Sequence, residues 1–225
     1  MGKCNHRIRR QFRRPPAELL EKFRDIPVAN IDDAMGRMAS MSSSIHPYGL
    51  PKMLGPAFTI KVPYGDNLML HEAIELVQAG DVIVIQSGES MDRAIFGGLL
   101  VRELRGMGVA GIVVDGAIRD AEEIAAFGDF PVYARCTSPN GPYKNGPGEI
   151  NYPVAVGGQV VCPGDIICGD GDGVLVIPQD QAEEVLADAL QIVNKEALML
   201  EQISHAHLDR AWVHPKLEEL GIAFE

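Results

Sequence analysis

Three short apolar runs separated by helix-patterned segments constrain this chain more than any other feature. The runs are Asp81-Val-Ile-Val-Ile-Gln86, Gly111-Ile-Val-Val-Asp115 and Pro131-Val-Tyr-Ala134, and each reads as a strand buried on both faces. Between them lie helical patterns. Leu68 to Gln78 is one, ended by Gly80. A second starts at Arg93 or Gly97 and runs to Gly106, with Leu99, Leu100, Leu104 and Met107 at helical spacing; Asp120 to Phe127 is the third. This βαβαβ rhythm predicts a parallel sheet with right-handed crossovers. Function is then expected just past the carboxyl ends of the strands.

The flanks follow other patterns. Pro16 to Phe23 predicts a helix closed by Pro27, and Asn30 is placed to cap a second short helix. Residues 58–62 (Phe, Thr, Ile, Lys, Val) alternate as a strand, whereas Ser40 to Pro51 and Thr137 to Pro153 read as loops. Beyond them come short strands at Val154–Val156, Gln159–Cys162, Asp165–Cys168 and Gly173–Ile177, then a long helix from Gln179 to about Ser204. A tail carrying Trp212 follows. With no internal repeat and no second composition regime, residues 1–225 are expected to form a single domain, with residues 1–16 as an arm and 205–225 as a tail. The long helix is expected to reach a neighbouring subunit.

Composition narrows the function. The net charge of −11 argues against general affinity for nucleic-acid backbone. Residues 1–16 are the exception: Lys3, Arg7, Arg9, Arg10, Arg13 and Arg14 read as a flexible basic arm, with an N-terminal mitochondrial address as the alternative. No apolar stretch is long enough to span a bilayer, so a cytoplasmic protein with no membrane partner is expected. Cys4, Cys136, Cys162 and Cys168 show neither a CxxC pair nor a zinc rhythm, and free thiols in a reducing compartment are expected.

Two segments carry the chemistry. Phe96-Gly97-Gly98-Leu99-Leu100 sets two glycines ahead of a helix, which leaves main-chain amides open to a carboxylate or phosphate. A plain glycine turn against a strand is the structural alternative. Asp115-Gly-Ala-Ile-Arg119-Asp120-Ala-Glu-Glu123 follows a buried strand. Arg119 offers a fixed fork for a keto acid, and Asp120 offers oxygen to a hard cation. A D-x-x-E capping box made by Asp120 and Glu123 would explain the aspartate but not the arginine. Other features read as structural. Gly169-Asp-Gly-Asp-Gly173 precedes a strand and not a helix, so it is a tight turn and no cofactor loop, which argues against a methyltransferase. Lys61 reads as a solvated strand lysine, with a Schiff-base lysine as the alternative, and His71 as a structural histidine, with a pocket-lining one as the alternative; His205 with His207 complete no metal site.

The spacing Gly98, twenty residues, Arg119-Asp120, two residues, Glu123 resembles the signature of the regulator of ribonuclease activity A-like family. That family includes the class II 4-hydroxy-4-methyl-2-oxoglutarate / 4-carboxy-4-hydroxy-2-oxoadipate aldolases. Further matches are Gly65-Asp66-Asn67, Gly80-Asp81-Val82, the run from Gly141 to Asn151, and Pro163-Gly-Asp165 with Asp172-Gly-Val, so the likeness covers roughly residues 28 to 200. It implies an α/β protein of the swivelling β/β/α kind, with a mixed sheet and a long C-terminal helix, assembled as a homotrimer or homohexamer with sites at subunit clefts. By this resemblance, Gly97, Gly98, Leu99 and Leu100 hold the substrate carboxylate through their amides, and Arg119 binds the keto acid. Asp120 holds a divalent metal cation, Mg²⁺ or Mn²⁺, largely through water. Glu196 is the candidate acid supplied by a neighbour. The implied activity is metal-dependent cleavage of 4-hydroxy-2-keto acids to pyruvate and a second keto acid, with oxaloacetate decarboxylation alongside; a non-catalytic ribonuclease-binding regulator is the alternative. One departure is Gly98 itself, where some aldolases of the family carry an acid.

Overall fold

Alternation at every second residue sorts the central strands onto two apolar layers. In the computed structural model, which describes residues 6–49, 52–206 and 208–222, the centre consists of β3 (Met53–Lys61), β4 (Val82–Ala94), β5 (Gly111–Ile118) and β6 (Val132–Thr137), parallel and in that order. Phe58, Ile60, Ile83, Ile85, Ile112, Val114 and Val132 face one core, where α3 (Leu68–Ile74), α4 (Gly98–Gly106) and α5 (Ala121–Ala126) bring Leu70, Val101, Leu104 and Ile124. Ala57, Val82, Val84, Val113 and Tyr133 face a second core, closed by β8 (Val154–Val156), β9 (Gln159–Val161), β10 (Ile166–Asp170) and β11 (Gly173–Ile177). Full burial of each such aliphatic side chain is worth about 1.5–3 kcal/mol. The predicted parallel βαβ rhythm is therefore present, because strands covered on both faces need this doubly apolar pattern.

Long β3 joins the two β layers. Its first half pairs antiparallel with β10, and its second half pairs with β4 on one side and with β7 (Gly148–Ile150) on the other. A third apolar cluster lies across the β10–β11 hairpin. There α1 (Ala17–Phe23), α2 (Val28–Ala34) and the first half of α6 (Ala182–Ser204) bury Phe23, Ile31, Val185 and Ala189. This is the expected α/β arrangement with a mixed sheet and a long C-terminal helix. The Gly169–Gly173 segment is the hairpin turn, with Asp170 opposite Gly173.

Several local expectations are corrected. Residues 6–16 do not form a loose arm. β1 (His6–Ile8) pairs parallel with β7, and Arg7 bonds Glu149 at 2.7 Å. Arg14 Nε and Nη2 each donate to one carboxylate oxygen of the fully buried Asp81 at 2.7 Å. The arginines are anchors there, satisfying carboxylates that the sheet buries. Asn30 does not cap α2; Pro27 stands at that position, and the Asn30 amide bonds Glu196 at 2.7 Å. Residues 46–48 and 148–150, expected in loops, are the edge strand β2 (His46–Tyr48) and β7; three-residue strands are too short to show a period. β4 runs on to Ala94, so α4 starts at Gly98 and not at Arg93. The tail holds a short helix, α7 (Val213–Glu219).

Among the described residues Cys136, Cys162 and Cys168 are free thiols, as expected, and burial pushes the Cys168 thiol up to about 12. No helix among the described residues is long and apolar enough to cross a membrane. Lys3, Cys4, Pro51, His207 and residues 223–225 lie outside the described residues.

Candidate active site

Two main-chain hydrogen bonds zip the ends of β4 and β5 together. Ile95 N donates to Ala117 O at 2.9 Å, and Arg119 N donates to Phe96 O at 3.0 Å. The glycine pair that opens α4 is thereby set against Arg119-Asp120. Asp120 takes the left-handed conformation, φ 57° and ψ 36°, which an aspartate tolerates better than most residues. That turn sends its carboxylate away from its own helix: Asp120 Oδ2 accepts the Gly98 N–H at 3.0 Å and makes no cap on α5. The capping-box alternative is thus corrected, because Glu123 turns to Arg102 at 2.7 Å and Asp120 serves the first turn of α4.

Both glycines sit at close approaches, Gly97 against the Arg119 stem and Gly98 against only the flexible end of Glu123. A Cβ on Gly97 would overlap Asp120 Oδ2 and lie 2.7 Å from Arg119 Cγ; one on Gly98 would lie 2.5 Å from the Glu123 carboxylate. Glu123 therefore fills the space that an acid at position 98 would enter. The next amides, of Leu99 and Leu100, have no acceptor inside the helix and stand at its positive end. The Leu99 side chain is 80% exposed.

Arg119 is held without being spent. Its side chain is 42% exposed, and its buried Nε has no hydrogen-bond partner. The nearest carboxylate, Asp120 Oδ2, is 3.6 Å away, beyond hydrogen-bond reach. The guanidinium borders a cleft of about 240 Å³ lined by Asn67, His71, Gly97, Leu99, Leu100 and Lys144, with Phe96, Glu103 and Pro142 completing the wall. On its other side Arg119 borders an open depression with Asp120, Glu123 and Ser138. Asp120 Oδ1 makes no hydrogen bond among the described residues, and its side chain is 41% exposed. One open carboxylate oxygen suits Mg²⁺ or Mn²⁺ held mainly by water and substrate. Among the described residues no group of three or more His, Cys, Asp or Glu is placed to hold a metal by protein ligands alone.

The structure therefore unites Gly97, Gly98, Leu99, Leu100, Arg119 and Asp120 at one corner, with one correction: the Gly98 amide, expected to hold a substrate carboxylate, is already donated to Asp120 Oδ2, which leaves the Leu99 and Leu100 amides open. Glu196 is not with them. Within one chain it lies on α6, bonded to Asn30 beside the third apolar cluster. His71 is corrected from a structural residue to a cleft residue, exposed and lining the wall. Asn67 and Lys144 carried no chemical signal of their own in the sequence; only the runs that contain them matched a family pattern.

The family model described as RraA-like, Aldolase/RraA, matches residues 28–176. A protein of Halalkalibacterium halodurans, provisionally named a 4-hydroxy-4-methyl-2-oxoglutarate aldolase, is 41% identical over 173 residues, covering 76% of this chain and 82% of its own. A Burkholderia multivorans protein with the same provisional name is 39% identical over 144 residues, 64% of this chain and 87% of its own. Among solved structures, Streptomyces coelicolor RraAS2, described as an unusual member of the RNase ES inhibitor RraA family, superposes with a TM-score of 0.75. It shares 30% identity and covers 84% of this chain and 100% of its own. The RNA-processing inhibitor RraA from Thermus superposes at 0.62 with 29% identity, over 68% of this chain and 92% of its own. Matched through its fold and over the segment that carries the Gly98–Asp120 corner, the chain belongs to the Aldolase/RraA family.

Proposed function

We propose that this protein is a metal-dependent lyase that cleaves 4-hydroxy-2-keto acids to pyruvate and a second keto acid, and that it also decarboxylates oxaloacetate. The observation that carries this reading is the unspent guanidinium of Arg119 beside open helix amides and a carboxylate with one free oxygen. The amides of Leu99 and Leu100 take the substrate C1 carboxylate at the positive end of α4. Arg119 donates to the C2 keto oxygen. As the C3–C4 bond breaks, its electron pair passes into a pyruvate enolate, and negative charge grows on that oxygen. A donor waiting there is worth about 3–4 kcal/mol of barrier. A divalent cation held by Asp120 would supply further positive charge at the same oxygen.

In the aldol cleavage the C4 hydroxyl loses its proton as the second carbonyl forms; in oxaloacetate the departing fragment is CO₂ and no such proton is involved. Glu196, brought by α6 of a neighbouring copy, is the proposed proton acceptor, and C3 of the enolate takes up a proton to give pyruvate, that one in the aldol cleavage and one from water in the decarboxylation. The second half of that helix and the tail leave Leu198, Leu200, Ile203 and Trp212 more than half exposed, a surface that suits assembly as a homotrimer or homohexamer.

The alternative, a non-catalytic ribonuclease-binding regulator, draws support from the two solved relatives, an RNase ES inhibitor family member and an RNA-processing inhibitor. A coupled assay for pyruvate release from 4-hydroxy-4-methyl-2-oxoglutarate and oxaloacetate, with and without chelator, separates the readings. Chelator-sensitive turnover supports the lyase. Stoichiometric ribonuclease inhibition that survives Arg119→Ala, with no pyruvate formed, supports the regulator.

A further inference from the structure

The cleft has a second cation, carried on an exposed side chain whose backbone segment is braced. Lys144 lines the wall next to Pro142, and no ion pair engages it among the described residues. Its two chain neighbours are tied down. Tyr143 N donates to Gly65 O at 2.7 Å, and Tyr143 O accepts from Asn67 N at 2.9 Å. The buried carboxylate of Asp66 accepts Asn145 N at 2.6 Å and Gly146 N at 3.1 Å. Arg93 adds a bond to Gly141 O and lies over the Tyr143 ring, 4.1 Å from its centroid. Asp66 thus stitches the segment 141–146 to the start of α3, and Lys144 is presented to the cleft from a braced strap.

The charge balance of the wall follows from its residues. Arg119 and Lys144 are cations, Glu103 is the single carboxylate, and His71 adds an imidazole ring. The strap also comes close to Arg119, since a Cβ on Gly141 would lie 3.0 Å from Arg119 Nη1. Under the keto-acid reading, the helix amides and Arg119 are occupied by the C1 carboxylate and the keto oxygen. Lys144 then remains as an uncommitted cation in a cleft for a small anion. A compact ammonium suits a single carboxylate.

We propose that Lys144 is a specificity-determining residue that pairs with the far carboxylate of a dicarboxylic 2-keto acid, with Asp66 as the positioning residue for its strap. This rests on the keto-acid reading of the same site. A charge-assisted hydrogen bond of this kind corresponds to a preference of about tenfold or more over a substrate lacking the carboxylate.

The test uses two unreactive ligands of equal chain length, 2-oxoglutarate and 2-oxopentanoate, titrated calorimetrically into the full-length protein with Mg²⁺ present. The wild type is expected to bind 2-oxoglutarate about tenfold more tightly. Lys144→Gln should bring the ratio of the two dissociation constants close to one, and Lys144→Arg should keep most of it. Asp66→Asn should shrink the same ratio with Lys144 intact. An undiminished ratio in Lys144→Gln overturns the assignment and leaves the keto-acid reading standing. Failure of the wild type to bind either ligand overturns that reading and this assignment with it.

Discussion

Asp120 Oδ2 accepts a hydrogen bond from the main-chain nitrogen of Gly98 at 3.0 Å, across the gap between two βα connections. This bond joins the two conspicuous segments of the sequence into one corner. It also leaves the other oxygen of Asp120 and the guanidinium of Arg119 facing outward.

Arg119→Ala and Asp120→Ala should each lower kcat/KM for pyruvate release by about 10²–10³ or more. Because both side chains are partly exposed, unfolding midpoints should move little. Arg119→Lys should rescue poorly, since an ammonium lacks the planar fork. Thermal unfolding run beside the kinetics checks that the loss is chemical.

The two glycines should respond differently to alanine. At position 97 the new Cβ meets Asp120 Oδ2 and the Arg119 stem, so at least a tenfold loss of activity is expected. At position 98 it meets only the flexible end of Glu123, which can swing away from Arg102. Gly98→Ala should therefore retain more activity than Gly97→Ala, and parallel kinetics on the pair measure this.

Removing Arg14 should damage the fold far from the cleft. Asp81 is fully buried, and Arg14→Ala strands its carboxylate, at a cost of about 3–5 kcal/mol. Urea denaturation should show that loss. A mutant as stable as the wild type would mean that residues 6–16 are loosely held after all.

Thiol reactivity reports the third apolar cluster. The folded protein at pH 8 should be alkylated faster at Cys162, an exposed thiol raised by partial burial and by Asp165 and Asp180, than at Cys168, whose buried thiol is pushed up to about 12. In denaturant the two should react alike. Mass spectrometry of timed aliquots gives the order.

The parallel core was legible in the sequence because strands buried on both faces cannot hide: Val82 to Ile85 and Gly111 to Val114 are apolar at every position that packs. Arg119-Asp120 was legible for a related reason, since it follows such a strand, and the glycine pair because two adjacent glycines open a helix. The roles inside the corner were not. Local spacing favours Asp120 capping its own helix, whereas the left-handed backbone at that residue sends the carboxylate across to α4. The far wall was equally hidden, because Lys144 reaches the cleft through contacts between residues about 80 positions apart, such as Asp66 with Asn145 and Gly146. Arg7 and Arg14 looked like loose cations because Glu149 and Asp81 lie 142 and 67 residues away.

The most direct measurement is pyruvate release from 4-hydroxy-4-methyl-2-oxoglutarate by the wild type and by Arg119→Ala, each with Mg²⁺ and with chelator. The account predicts turnover by the wild type that chelator removes, and none above background from the equally well-folded mutant. Near-normal release by Arg119→Ala, or no release by the wild type across a panel of 4-hydroxy-2-keto acids, would contradict it.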